Sequence, residues 1–287
     1  MSRPIVCGVD LAMKGDRAAA CAAALARELG CESVLVHAQP VTGQGHSLRE
    51  LQALADRHGF PHGARGHLAT GDPAEALTRM AEQTNAEMTV IAGRGLHELA
   101  IALLGGVSST LVRTAPCPIA VLPPEASVPA GGIRAVVAGI AGGQQDGELL
   151  SFAADLARRL SATLHVVHAF HPRPLSPGGA GVAPPLSTEL HDAAEATLAA
   201  ALAKSDVQAQ GHLIGLPPVA ALERIAEEQG AGLIVVGSRG RGRLGSLLHG
   251  STTIRLAAEA TIPVIVLPPT AQVTAGSGHY EVASDAA

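Results

Sequence analysis

Aromatic residues are nearly missing from this 287-residue chain, which has no Trp, one Tyr (Tyr280) and three Phe (Phe60, Phe152, Phe170). Its apolar content of 47% therefore rests on Ala, Val, Leu and Ile. Small branched side chains of this kind suit parallel sheets covered by helices on both faces. Positive charge is also short: 20 Lys and Arg stand against 25 Asp and Glu, a formal charge of −5. Nucleic-acid binders need a basic face, and single-strand binders also need rings for stacking. No nucleic-acid partner is expected. Basic residues gather only at Arg239, Arg241 and Arg243.

The four cysteines (Cys7, Cys21, Cys31, Cys117) show no C-x-x-C spacing. Cys7 and Cys117 lie in apolar runs, where a thiol behaves as a small hydrophobe. A reduced, cytoplasmic setting is the expectation. The amino terminus runs directly into a strand-like segment, which leaves no room for a signal peptide. The Ala-rich stretch 18–26 is too short to cross a bilayer, so no membrane association is expected. The sequence also has no G-x-x-x-x-G-K-[ST], no G-x-S-x-G and no paired acids on a common site, which argues against a dedicated catalytic machine. Thirteen histidines give no complete metal set. His58, His62 and His67 straddle a helix end and a loop, while His165, His168 and His171 lie mostly on a strand, where a spacing of three alternates faces. No metal site is expected.

What the chain does have is an internal repeat. Laying residues 67–124 over 212–269 gives roughly 22 identities in 58 positions, including Arg79/Arg224, Gly95/Gly240, Gly105/Gly250 and the closing Val-Leu-Pro-Pro. Near the start of each half, 5–10 aligns with 136–141, so the second half carries about 14 extra residues, placed in the Pro/Gly-rich stretch 171–185 as a long loop. A unit this long is a duplicated domain rather than a solenoid repeat. The expected domains are 1–125 and 132–269, with a linker near 123–132 and a disordered tail at 270–287. In the first half, strands are predicted at 5–10, 33–39, 65–69, 88–92 and 118–122, and helices at 16–30, 47–58, 73–84 and 107–114. In the second, strands are predicted at 135–140, 163–170, 207–214, 233–237 and 264–267. Strands alternating with helices predict an α/β fold of two tandem, doubly wound, five-stranded parallel sheets, Rossmann-like, with helices on both faces. Ligands in such sheets bind beyond the strand C-termini where the winding reverses, so functional residues should follow strands one and four of each half.

Glycines gather there. Gly237, Gly240 and Gly250 have the spacing G-x2-G-x9-G and are followed by Ser251 and Thr252. Glycine lets a backbone come close to a ligand, and the free N–H groups at a helix start favour an anion. The hydroxyls of Ser251 and Thr252 can cap the helix or donate to phosphate, and Arg239 adds a charged contact. Gly240-x-Gly242-x-x-Gly245 spells a dinucleotide fingerprint, but it follows strand four rather than strand one, which argues against a dehydrogenase.

Over most of residues 3–269 the sequence resembles the universal stress protein family in its tandem form. The resemblance rests on the loop motif, the Pro-x-x-x-Leu-Pro that closes each half, Asp10 in Val-Asp, and Gly71-Asp72-Pro73. It implies an adenine-nucleotide site for ATP, alone or with Mg2+, in which the glycine loop holds phosphates and ribose. An Asp closing the first strand and the end of the second strand hold the adenosine. It also implies a pseudo-dimer through the last strands, further homodimer formation, and an unidentified regulatory protein partner. The two halves depart from the pattern in opposite ways. The first keeps Asp10, Gly95 and Gly105, but Ala92 replaces the first glycine and Gly106 the hydroxyl residue, with Ser108 two places late. The second has the intact loop, but Ala141 stands where Asp10 does. Asp10 serves equally well as an Asx-turn residue. His37-Ala38 and His168-Ala169 read as packing residues. The expected function is ATP-linked stress regulation through conformation or partner binding. The alternatives are an ATP-independent scaffold and, with less support, a slow ATPase or nucleotidyl transferase.

Overall fold

The computed structural model describes residues 3–11, 16–40, 45–61, 63–93, 106–143, 145–170, 184–204, 208–238, 251–269 and 271. The first half runs β1 (Ile5–Gly8), α1 (Asp16–Leu29), β2 (Ser33–Gln39), α2 (Leu48–His58), β3 (Ala64–Thr70), α3 (Pro73–Thr84), β4 (Met88–Ala92), α4 (Gly106–Thr114) and β5 (Ile119–Leu122). The second runs β6 (Ala135–Ile140), α5 (Asp146–Arg159), β7 (Thr163–Ala169), α6 (Pro184–Lys204), β8 (Gln210–Ile214), α7 (Pro218–Glu228), β9 (Leu233–Gly237), α8 (Ser251–Glu259) and β10 (Val264–Leu267). The same alternation of five strands and four helices occurs twice.

The strands form one sheet in the order β3-β2-β1-β4-β5-β10-β9-β6-β7-β8. Pairing is parallel within each half and antiparallel only at the seam, where Val121, Ala120 and Ile119 face Val264, Ile265 and Val266. Each half is thus a doubly wound parallel sheet, and the two are joined edge to edge as the resemblance implies. Joining them in this way removes two exposed apolar edges that would otherwise template aggregation. The central strands are continuous apolar runs because helices cover both faces. Ile5, Val6 and Cys7 of β1 and Val136, Val137 and Ala138 of β6 are fully buried. α1, α2, α5 and α6 pack on one face, and α3, α4, α7 and α8 on the other. Burial pushes the Cys21 thiol up to about 12 and the Cys117 thiol up to about 11, so both serve as packing groups.

Two repeated contacts set how closely the helices approach. A Cβ on Gly8 would lie 2.8 Å from Leu77, and one on Gly139 would lie 3.0 Å from Leu222. Equivalent glycines therefore let α3 and α7 seat against β1 and β6. Helix starts differ more. Asp72 caps α3 by accepting from the Glu75 N–H at 2.9 Å, with Pro73 behind it, and Ser47 and Glu50 form a capping box on α2.

Several boundaries move from the sequence expectation. β1 ends at Gly8, although the Val9 N–H still bonds the Val36 carbonyl at 2.9 Å. α6 begins at Pro184, inside the stretch expected as loop, because proline is well accommodated in a first helical turn. Of the expected tail, only Ala271 lies among the described residues.

Candidate functional site

In the second half β6 lies between β9 and β7, so the winding reverses beside β6 and opens a crevice past the strand ends. A cavity of about 490 Å³ fills that crevice. Its floor is the C-terminal end of three strands: Ile140 ending β6 with Ala141 after it, Val236 and Gly237 on β9, and Ala169 ending β7 with Phe170 after it. One wall comes from α6 through Leu190, Ala193, Ala194 and Thr197. The other comes from α7 and α8 through Pro218, Leu222, Thr252 and Thr253. The volume and the mostly apolar walls with a few polar groups are typical of small-molecule sites.

Three of the polar groups that line the cavity are held by main-chain partners. The Thr253 hydroxyl donates to the Gly237 carbonyl at 2.9 Å, tying the first turn of α8 to the end of β9. His168 pairs through Nδ1 with the Ile140 carbonyl at 3.2 Å. His37 makes the same contact with Val9 in the first half, at 3.0 Å. These histidines stitch the second strand of each half to the first, in keeping with a packing role. Asp146, the first residue of α5, turns back over the loop after β6 and accepts from three main-chain N–H groups of residues 141–143.

The candidate residues separate into three groups. Gly237 and Thr252 line the cavity, and Ser251 is the first residue of α8. Arg239, Gly240, Gly250, Gly95 and Gly105 lie outside the described residues. Asp10 follows β1 and is exposed, while Ser108 is buried in α4. Ser108 aligns with Thr253 rather than with Ser251, and both are buried at the start of equivalent helices. That position suits a hydroxyl tying helix to strand better than one facing a ligand.

Sequence reasoning missed Asp146, Phe170 and the α6 wall. Asp146 carried a usable signal, an acid in the first turn of a helix after a Gly-Gly pair. Phe170 and Leu190 carried none, because their convergence depends on how α6 packs against the end of β7. Among the described residues no three His, Cys, Asp or Glu side chains gather as a metal site. His165 and His212 form a separate pair on β7 and β8, with Nδ1 and Nε2 3.0 Å apart. Burial lowers the pKa of both.

Comparison with known proteins bears on this arrangement. The universal stress protein family model matches residues 1–123 and again 132–268. A universal stress protein of Mycobacterium tuberculosis is 32% identical over 247 residues, spanning 84% of this chain and 76% of that protein. One from Mycolicibacterium smegmatis is 29% identical over 230 residues, spanning 78% of this chain and 76% of its own length. The crystal structure of a universal stress protein from Archaeoglobus fulgidus shares the fold, with a TM-score of 0.61 at 18% identity over 93% of this chain and 99% of that one. Matched twice along its length and across its whole sheet, the chain belongs to the universal stress protein family as a tandem pair of its domains.

Proposed function

We propose that this protein is an adenine-nucleotide-binding regulator whose second half takes ATP, and that it acts through the conformation or partner contacts of the bound state. The observation that carries this is the cavity between β6, β7 and β9, which has an apolar wall on the α6 side and the first turn of α8 on the other. A base suits the apolar wall of Phe170 and Leu190. An anion suits the start of α8, where N–H groups lack intrahelical partners and the helix dipole is positive. Gly237, Ser251 and Thr252 frame that end, and the motif assigns Arg239, Gly240 and Gly250 to the same phosphates. Any Mg2+ would arrive with the nucleotide. The first half, with Ala92 in place of a motif glycine and Ser108 buried, serves mainly as the structural partner across the seam, whatever Asp10, Gly95 and Gly105 contribute. Cytoplasmic location, homodimer formation and a regulatory protein partner belong to the same proposal.

Binding rather than turnover is what these residues favour. Among the described residues, the α8 side of the cavity presents hydroxyls and no carboxylate placed to act as a base. The test is calorimetric titration with ATP alongside Gly240→Val and Thr252→Val. Each variant is expected to bind about tenfold or more weakly with an unchanged circular dichroism spectrum. If ATP gives no heat and no thermal shift at millimolar concentration, the scaffold reading replaces this one.

A further inference from the structure

The second half lacks the acid that Asp10 supplies in the first, because Ala141 stands in its place. A carboxylate nevertheless reaches the same corner by another route. Asp146 Oδ2 accepts from the Gly142 N–H at 2.6 Å and the Gly143 N–H at 2.9 Å. Its Oδ1 takes a longer bond from the Ala141 N–H at 3.3 Å. The residue is only 9% exposed and lines the cavity. Gln145, at the N-cap of α5, makes no side-chain cap bond, and the Asp146 carboxylate ties this helix start to its loop. A carboxylate has about four acceptor sites, and Oδ1, with one long bond, keeps room for a ligand donor.

Strand order fixes which part of a nucleotide would meet it. β6 lies between β7, whose end carries the apolar base wall, and β9, which leads to the anion-favouring start of α8. Asp146 follows β6 and therefore sits between those two regions. A phosphate is repelled by a carboxylate, which sends it toward α8. The part of a nucleotide that joins base to phosphate is the ribose, and its hydroxyls are donors. We infer that Asp146 is the specificity-determining residue of the second-half cavity, accepting the ribose hydroxyls so that the site selects ribonucleotides over 2′,3′-dideoxynucleotides. This rests on the nucleotide reading above.

Titration of the full chain with ATP and with 2′,3′-dideoxy-ATP tests it, together with Asp146→Asn and a thermal melt of each protein. The wild type should prefer ATP by about 10- to 100-fold, the range for a hydrogen bond to a charged acceptor. In Asp146→Asn that preference should shrink to about threefold or less, a change in ratio that a purely structural role would not produce. Equal affinity of the wild type for the two ligands overturns the assignment and leaves nucleotide binding intact. A preference that persists in Asp146→Asn overturns it too. Absence of any ATP binding removes both. If Asp146→Asn does not fold, the wild-type comparison decides alone.

Discussion

His165 and His212 show how a pair of side chains links stability to pH. A neutral imidazole has one donor and one acceptor nitrogen, so two can share one hydrogen bond unless both are protonated, when neither has an acceptor left. His165 is 3% exposed, and burial lowers its pKa, with the neighbouring His212 adding to the effect. Burial also lowers His212, against an opposing pull from Glu228. The folded chain therefore binds fewer protons than the unfolded chain just below the ordinary histidine value. The stabilisation is complete above that value and is lost as pH falls through the lowered folded values. The melting temperature should drop between about pH 7.5 and pH 5, and should drop less in a His165→Gln/His212→Gln double variant. Matching pH profiles would show that the pair carries no linkage. Nothing in the spacing of His165 and His212 announced this contact, which depends on the parallel register of β7 with β8. That register sets Val167 opposite His212 and brings the two imidazoles together.

At the level of helices and strands, local chemistry settles starts and ends unevenly. Asp72-Pro73 reads from sequence as an N-cap with proline in the first turn, and α3 begins there with the Asp72 side chain on the Glu75 N–H. Asp72→Ala should cost about 1 kcal/mol, seen as a lower urea midpoint at unchanged slope. An unchanged midpoint would mean that the Pro73 turn holds the helix by itself. Elsewhere the local signals misled. The Pro-rich stretch at the start of α6 reads as loop, yet Pro184 opens a 21-residue helix. Proline constrains the residue before it and the helix interior, but it fits the first turn. That helix supplies one wall of the cavity through residues 190–197. Residues 239–250, which carry the clearest motif, lie outside the described residues, between β9 and α8.

Over the whole molecule, the seam between β5 and β10 makes one body of two domains. Ile265 is fully buried there, opposite Ala120. One apolar cluster contains residues of both halves, Ala120 and Leu122 with Ile265 and Leu267. Ile265→Asp should destabilise the fold by at least about 3 kcal/mol, since an unpaired carboxylate would be left in a dry interface. Chemical denaturation checks this, and a wild-type midpoint would show that the seam is not closed in solution. The duplication, the alternation of strands and helices and the parallel class were all determined by sequence. They follow from local periodicity and from comparing the chain with itself. Tertiary structure alone decided that Asp146 returns a carboxylate to the corner Ala141 leaves without one, that α6 walls the cavity, and that His165 meets His212. These depend on distances between segments far apart in the chain, and such distances are set by sheet register and helix packing rather than by neighbours in sequence.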